Sequence, residues 1–305
     1  MSTMIQRHRL LARPGLIKDF KDTYQDHDEC YSQYLKVGSH DKPEIHGTII
    51  TGPNRLIQTR EGEPVTYLEV KTGPKVSAVD KTYKGGYFLT KEAIDDDGYG
   101  KLNQGAKWLA RAARLTKEYA SVALIDDAFA GNNFRGQDNL PLMSASHTLI
   151  NSNATFANRP VTPISLSVAG FTNLMDLARK ARDENGDPIV VTPDTLMIGN
   201  DQGQVNRAMQ ILESSLEPFT ANNQDNPIRR NFKPTKIIVN PYQANLFHYF
   251  LISSKHNDAS FLNREAVTMT DWYDNEMDAS KIRARGRWII WFRDPRGWYG
   301  TNPSA

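Results

Sequence analysis

The chain has 305 residues, 39% of them hydrophobic and 24% charged, enough to bury a core in one or two compact units with extensions. Its 37 basic and 35 acidic side chains leave a formal net charge of +2, so no global field recruits nucleic acid or membrane, and any polyanion contact must come from a local patch. The single cysteine, Cys30, excludes an intrachain disulfide and Cys-rich zinc sites; no apolar run approaches ~18 residues and Met1 to Pro14 lacks a signal-peptide core, so the chain reads as cytoplasmic and soluble.

From Leu16 to Val37, the residues Leu16, Phe20, Tyr24, Tyr31, Tyr34 and Leu35 recur at spacings that predict a helix with an aromatic stripe, closed by Gly38. Such a helix either docks on its own domain or reaches a neighbour as an arm. From Asp41 to Thr90, Gly and Pro punctuate short β-prone runs, and Val65 to Val70 and Lys81 to Leu89 are predicted strands of a long charged hairpin. Tyr83, Tyr87 and Leu89 share one face at period two. With few large apolar residues of its own, this hairpin must lie on something else.

Tyr99 to Gly131 is predicted as one long helix, with Leu102, Trp108, Leu109, Ala112, Leu115, Tyr119, Val122 and Phe129 at helical spacing. About 30 residues span roughly 45 Å, longer than a globular core needs. Asp95, Asp96 and Asp97 suit its N-terminus, where the dipole favours carboxylates, whereas Asp126 and Asp127 near its end hint at a basic partner elsewhere. After a polar linker to about Pro163 the text alternates. Helices are predicted over Ser167 to Asp183, Gln204 to Leu216 and Tyr242 to Ile252, and strands over Ile189 to Val191, Leu196 to Ile198 and Lys236 to Val239, together a compact α/β unit. Ala266 to Thr270 and Ile282 to Phe292 return to strand and rejoin the long helix.

No constellation for chemistry emerges. The seven histidines show neither i, i+4 pairing nor a Cys or Glu cluster; His40 and His46 beside Asp41 and Glu44 read as polar loop residues, and His147 after Ser144 and Ser146 lacks the strand-turn-helix elbow of a nucleophile. No catalytic, cofactor-binding or metal residue is expected. The sharpest charge feature is Lys281, Arg283, Arg285 and Arg287, alternate residues that share one face of a strand. Three readings stand open for that row: a solvated face, a salt-bridge strip against another subunit, or a phosphate-contacting strip.

Several stretches, weak singly, form a specific order. They are Tyr87-Phe88-Leu89-Thr90-Lys91-Glu92-Ala93-Ile94 with the three aspartates that follow; Leu124 to Gly131; Leu140 to His147; Gly186-Asp187-Pro188-Ile189 leading to Pro193-Asp194-Thr195-Leu196-Met197; and Phe292-Arg293-Asp294-Pro295-Arg296-Gly297-Trp298-Tyr299. Together they resemble the major capsid proteins with the HK97-like fold, most closely tailed-phage head subunits, including the Mu-like head-subunit group. That resemblance implies an α+β chain divided into an N-terminal arm (1–40), an E-loop region built on a long β-hairpin (41–90), a peripheral domain holding the spine helix (91–162), a compact α/β axial domain (163–256), and the peripheral domain's C-terminal strands (257–305).

The function implied is self-assembly through hexamers and pentamers into an icosahedral shell around double-stranded DNA, without sequence-specific binding, membrane or cofactor. The place implied is the virion, with assembly in the host cytoplasm. Portal and scaffolding proteins, and a possible decoration protein, are the implied partners; an arm that begins almost at Met1 points to a separate scaffold or an already matured chain. Inter-subunit contact is expected at Tyr83 and Tyr87 and between Glu61 and Glu63 near the hairpin tip and the row Lys281, Arg283, Arg285 and Arg287. Some family members cross-link an E-loop lysine to a neighbour's asparagine, for which Lys71, Lys75, Lys81 or Lys84 and Asn257, Asn263 or Asn275 are available. An encapsulin-like cellular shell has the same fold and encloses enzymes instead. From other classes come a small-ligand enzyme domain, which lacks a catalytic constellation here, and a DNA-binding protein using the basic row, which near-neutral net charge weakens.

Overall fold

The computed structural model describes residues 15–26, 28–53, 55–96, 101–218, 225–231 and 236–304. Its N-terminal part is not one helix. Helix α1 covers 15–25, a 3-10 turn covers Tyr31–Gln33, and strand β1 covers Lys36–Ser39. Two causes end α1 early: Asp26, Asp28 and Glu29 crowd its negative end, and Glu118 captures the amides of Cys30 and Tyr31 at 2.9 and 3.2 Å. Leu16, Phe20, Tyr31, Tyr34 and Leu35 are all buried on their own chain.

The next elements are β2 (Glu44–Gly47), β3 (Val76–Val79), β4 (Lys81–Thr90), α2 (Lys91–Asp95) and the long α3 (Lys101–Asp126). β2 and β3 pair antiparallel in a sheet of their own, continued less regularly by Thr51 N donating to Lys71 O at 2.8 Å and Gly73 N to Ile49 O at 2.9 Å. The predicted hairpin is thus corrected. Val65 to Val70 is not a strand, and β4 does not pair with it; β4 joins a four-stranded sheet β1-β10-β11-β4, in which β10 is Ser260–Asp274 and β11 is Ala279–Trp291. Residues 55–70 run as an exposed loop through a turn at Glu61 and Gly62, the latter at φ +84°.

Ile282 and Ala284 of β11 pack with Ala106, Leu109 and Ala110 of α3, with Leu16 and Phe20 of α1 on the same cluster. The alanines bring helix and sheet close, and Tyr87 lies over Gly105, where a Cβ would meet its ring at 2.6 Å. Asp95 ends α2 and so does not start the long helix, while Asp97 and the predicted helix start at Tyr99 lie outside the described residues. Past Asp126 the chain turns at Gly131, whose φ of +65° and proximity to Pro141 leave no room for a Cβ. The carboxylate of Asp127 accepts the amides of Asn132, Asn133 and Phe134, and that of Asp126 accepts Ala244 N; their partners are backbone, not the basic group expected.

Two short strands, β5 (His147–Thr148) and β6 (Thr155–Phe156), lead to the α/β unit: α4 (Val168–Arg179), β7 (Thr195–Gly199), α5 (Gln202–Glu213), α6 (Pro227–Asn231), β8 (Lys236–Asn240) and β9 (Tyr249–Ile252). Ser167 and Asp201 cap α4 and α5 by accepting from Gly170 N and Gln204 N, as sequence-based capping rules anticipate. Ile189 to Val191 is not a strand, and Tyr249 to Ile252 is strand where a helix was expected. The sheet order is β12-β9-β7-β8, with β12 at Trp298–Thr301.

That sheet is a wall buried on both faces. Leu196, Ile198, Tyr249, Leu251 and Tyr299 meet α4 and α5 on one side; Met197, Phe250, Ile252 and Trp298 meet the end of α3 and β11 on the other. Each fully buried large side chain contributes roughly 1.5–3 kcal/mol.

Candidate assembly surfaces

β11 alternates by face. Ile282, Ala284 and Trp288 turn to the core, and Lys281, Arg283, Arg285 and Arg287 lie partly exposed on the outer face, sharing one face as expected. Three of the four are compensated within the chain. Lys281 Nζ lies 2.5 Å from Asp274 Oδ2, Arg285 Nη1 2.9 Å from Glu265 Oε1, and Arg287 Nη2 3.9 Å from Asp80 Oδ2. The Lys281 ammonium, helped by the Glu276 amide, holds the Asp274 carboxyl below its ordinary value. Arg283 stands over the ring of Trp272 at 5.4 Å.

Among the described residues, neither Glu61 nor Glu63 forms an ion pair with this row. They sit at the exposed loop turn, where the Glu63 carboxylate accepts Arg60 N at 2.9 Å. Tyr83 and Tyr87 point inward on their own subunit: Tyr83 stacks on Trp288 at 4.3 Å, and Tyr87 covers Gly105 of α3. Burial raises both phenols, that of Tyr87 to about 12.

What residue-by-residue reading missed is the exposed apolar surface. On the loop, Leu56 is 92% and Tyr67 91% exposed, with Ile57, Val65 and Val70 also out. A groove of about 320 Å³ on the outer sheet face has Gly85 and Gly86 as its floor, Phe88 and Trp272 as apolar sides, and Lys84, Lys281 and Arg283 as rim. A Cβ on Gly86 would lie 2.4 Å from Ile282 O, so the floor stays bare. α3 exposes Trp108 and Tyr119. The alternation of Gly86 and Phe88 opposite the basic row was the available signal, because β4 and β11 share a register that pairs Gly86 with Arg283 and Phe88 with Lys281.

The groups weighed for chemistry are engaged elsewhere. His147 is buried between Asp138 Oδ2, 2.5 Å from its Nδ1, and Asn158 Oδ1, 3.2 Å from its Nε2, and Ser144 Oγ accepts Ser146 N. His46 sits 3.5 Å from Glu44 on the surface, and His40 lies against Asp80. Among the described residues no group of three His, Cys, Asp or Glu is arranged to hold a metal ion. Burial, with Glu118 nearby, pushes the Cys30 thiol up to about 11. A further buried set, Arg296 with Glu184 at 2.7 Å and Asp294 at 3.1 Å, ties the C-terminal part to the edge of the α/β unit.

No curated protein is similar enough in sequence to count as a relative. Solved structures share the architecture: the capsid of Myoviridae phage XM1 (8% identity, 90% of this chain and 92% of that one covered, TM-score 0.55), the procapsid of bacteriophage JBD30 (11%, 100% and 77%, 0.53) and the virus-like particle from Pyrococcus furiosus (11%, 95% and 98%, 0.52). At these identities the likeness is one of fold, a mixed α+β capsid fold of the HK97-like kind. A family model described as phage capsid protein matches residues 76–300, from β3 into β12. With most of its length inside that model, the chain belongs to the phage capsid protein family.

Proposed function

We propose that the chain is the major head subunit of a tailed phage, which closes through hexamers and pentamers into an icosahedral shell around double-stranded DNA. It is a structural protein of the virion, not an enzyme. The observation that carries the multi-subunit reading is residues 55–70: a segment that leaves Leu56, Ile57, Val65, Tyr67 and Val70 in water is completed by burial on another copy. In this reading 1–40 is the arm, 41–90 the E-loop region, 91–162 and 257–305 the peripheral domain, and 163–256 the axial domain at a capsomer's centre. The quoted stretches from Tyr87 to Tyr299 support placement near the Mu-like group.

The contact we assign to the loop is the outer sheet face of a neighbour. Glu61 and Glu63 carry the charge opposite to Lys281, Arg283, Arg285 and Arg287, and Arg283, which pairs with a ring rather than a carboxylate, is the cation most available to them. Tyr83 and Tyr87 support that face from beneath rather than making the contact themselves. Reversing Arg283 and Arg285 to Glu is expected to abolish closed particles at low salt; intact shells at both low and high salt would remove the assignment. Portal, scaffolding and decoration proteins are further partners in this reading.

The function itself is tested by negative-stain electron microscopy and sedimentation of the chain, alone and with its genomic neighbours. Closed particles or capsomer rings support it, and a lone monomer in both preparations overturns it. A second reading, a cellular compartment of the encapsulin kind, needs only the same fold, which the chain shares with a virus-like particle from Pyrococcus furiosus. Duplex DNA inside purified particles separates the phage head from that compartment, which would hold protein.

A further inference from the structure

Only one residue, Asp80, separates β3 from β4. β3 belongs to the small β2–β3 ladder and β4 to the main sheet, so Asp80 is the point at which the whole 43–79 excursion returns to the body of the subunit. Its carboxylate is 0% exposed, unusual for an acid at a turn between two largely exposed strands. Around it stand side chains from three other strands or their ends. Arg264 of β10 donates to Oδ2 at 3.0 Å, Arg287 of β11 lies 3.9 Å from the same oxygen, and His40, just past β1, places Nε2 2.9 Å from Oδ1 without an aligned hydrogen bond. The Asp80 amide also donates to Pro43 O, closing the ladder at its root.

The structure assigns Asp80 the role of a positioning residue, the pin that fixes the direction in which the β2–β3 ladder and the apolar loop beyond it leave the sheet. Gly47 of β2 packs on Trp291 and Arg293, and Gly73 on Ile150, but the ladder's other polar ties to the body are weaker. Arg55 and Asp187 form an exposed pair near the loop, and Ile49 N reaches Gln137 at 3.3 Å. Between β3 and the body, formed by α3 and β11, runs a groove of about 420 Å³ lined by Val76, Ala78, Ala123, Phe134 and Trp291, so the ladder is not packed shut against its own subunit. A four-residue ladder is marginal alone, and a desolvated carboxylate held by two guanidinium groups is the strongest directional contact at its base.

A buried acid whose only task is to neutralise Arg264 and Arg287 would behave differently. Removing it would leave two cations facing each other on β10 and β11 and would loosen that sheet. The pin predicts the reverse, because both arginines are about one quarter exposed and can turn to water, whereas the ladder loses its anchor. The effect on shells rests on the head-subunit reading above; the measurement on the subunit does not.

Hydrogen–deuterium exchange on the full-length chain tests it, comparing wild type with D80N, R264Q and, as a control on the same face, R285Q, which loses only the Glu265 pair. In D80N and R264Q, exchange within 44–47 and 76–79 is expected to rise about tenfold or more, while 260–274 and 279–291 stay within about twofold. R285Q is expected to leave the ladder unchanged. Unchanged exchange at 76–79 in both variants, or loosening spread evenly over β10 and β11, would overturn the assignment. R264Q keeps the test open should D80N fail to fold, and the doubly substituted chain is expected to match D80N alone, since both changes remove one contact.

Discussion

The wall β12-β9-β7-β8 and the loop of residues 55–70 hold much the same kinds of side chain in opposite circumstances. Phe250, Leu251 and Trp298 are closed off by neighbours on both faces, while Leu56, Val65 and Tyr67 have none. The wall stores the free energy that makes a single chain fold; the loop withholds apolar area that a fold of this size could have buried. A subunit that kept none back would have no apolar surface with which to hold a neighbour.

Attacking the wall should produce the largest loss. Trp298→Ala removes a ring packed at right angles to Tyr34 and against Phe250, together with its hydrogen bond to Asn257 Oδ1, and is expected to cost about 3–5 kcal/mol in urea unfolding. Next comes the buried joint beside the wall. Arg296→Met leaves Glu184 charged and buried, with only Gln137 and Ile150 N to satisfy it, and is expected to cost roughly 3 kcal/mol by the same measurement.

A smaller effect separates the two regions by pH. His248 lies edge-on to Phe129 beside Phe250, and burial lowers its pKa below the ordinary 6.5. The unfolded chain then binds more protons than the folded one between that lowered value and 6.5. Stability is therefore complete above pH 6.5 and is lost as pH falls through the window. Urea midpoints between pH 5 and 7.5 should show this slope, and His248→Phe should reduce it, His256, also lowered by burial, supplying the remainder. The smallest effect belongs to the loop: Leu56→Ser and Tyr67→Ser are expected to shift subunit stability by no more than about 0.5 kcal/mol. The same changes should lower the yield of sedimenting particles, which inverts the order of sensitivity seen for the wall.

The legible parts of this fold are those whose own periodicity is decided by one neighbour. The long helix shows its stripe because one side meets β11, and the alternation of cations along β11 survives because its other side is core. Tyr249 to Ile252 was unreadable for the opposite reason: all four residues are buried, so no period distinguishes strand from helix. Val65 to Val70 has strand-forming residues and no partner, and a strand exists only where another strand accepts its hydrogen bonds. For the candidate surfaces, the face of Lys281, Arg283, Arg285 and Arg287 was legible from spacing. Their partners were not, because Asp80 lies far away in sequence and reaches Arg287 only through the register of β4 on β11, which sets Thr82 opposite Arg287. Tyr83 and Tyr87 shared a face as expected, but spacing alone does not say whether that face looks at one's own helix or a neighbour's.

β12 completes the wall only at Trp298–Thr301, although α4 begins its unit at Val168. On the ribosome, β7 and β9 therefore emerge with one edge open and with Met197 and Phe250 uncovered until β11 and β12 have also been made. The α/β unit and the main sheet then close together, once β12 is in place. Partial chains carry an unfinished edge, so the exposed apolar loop is displayed on a finished body only once β12 has been made.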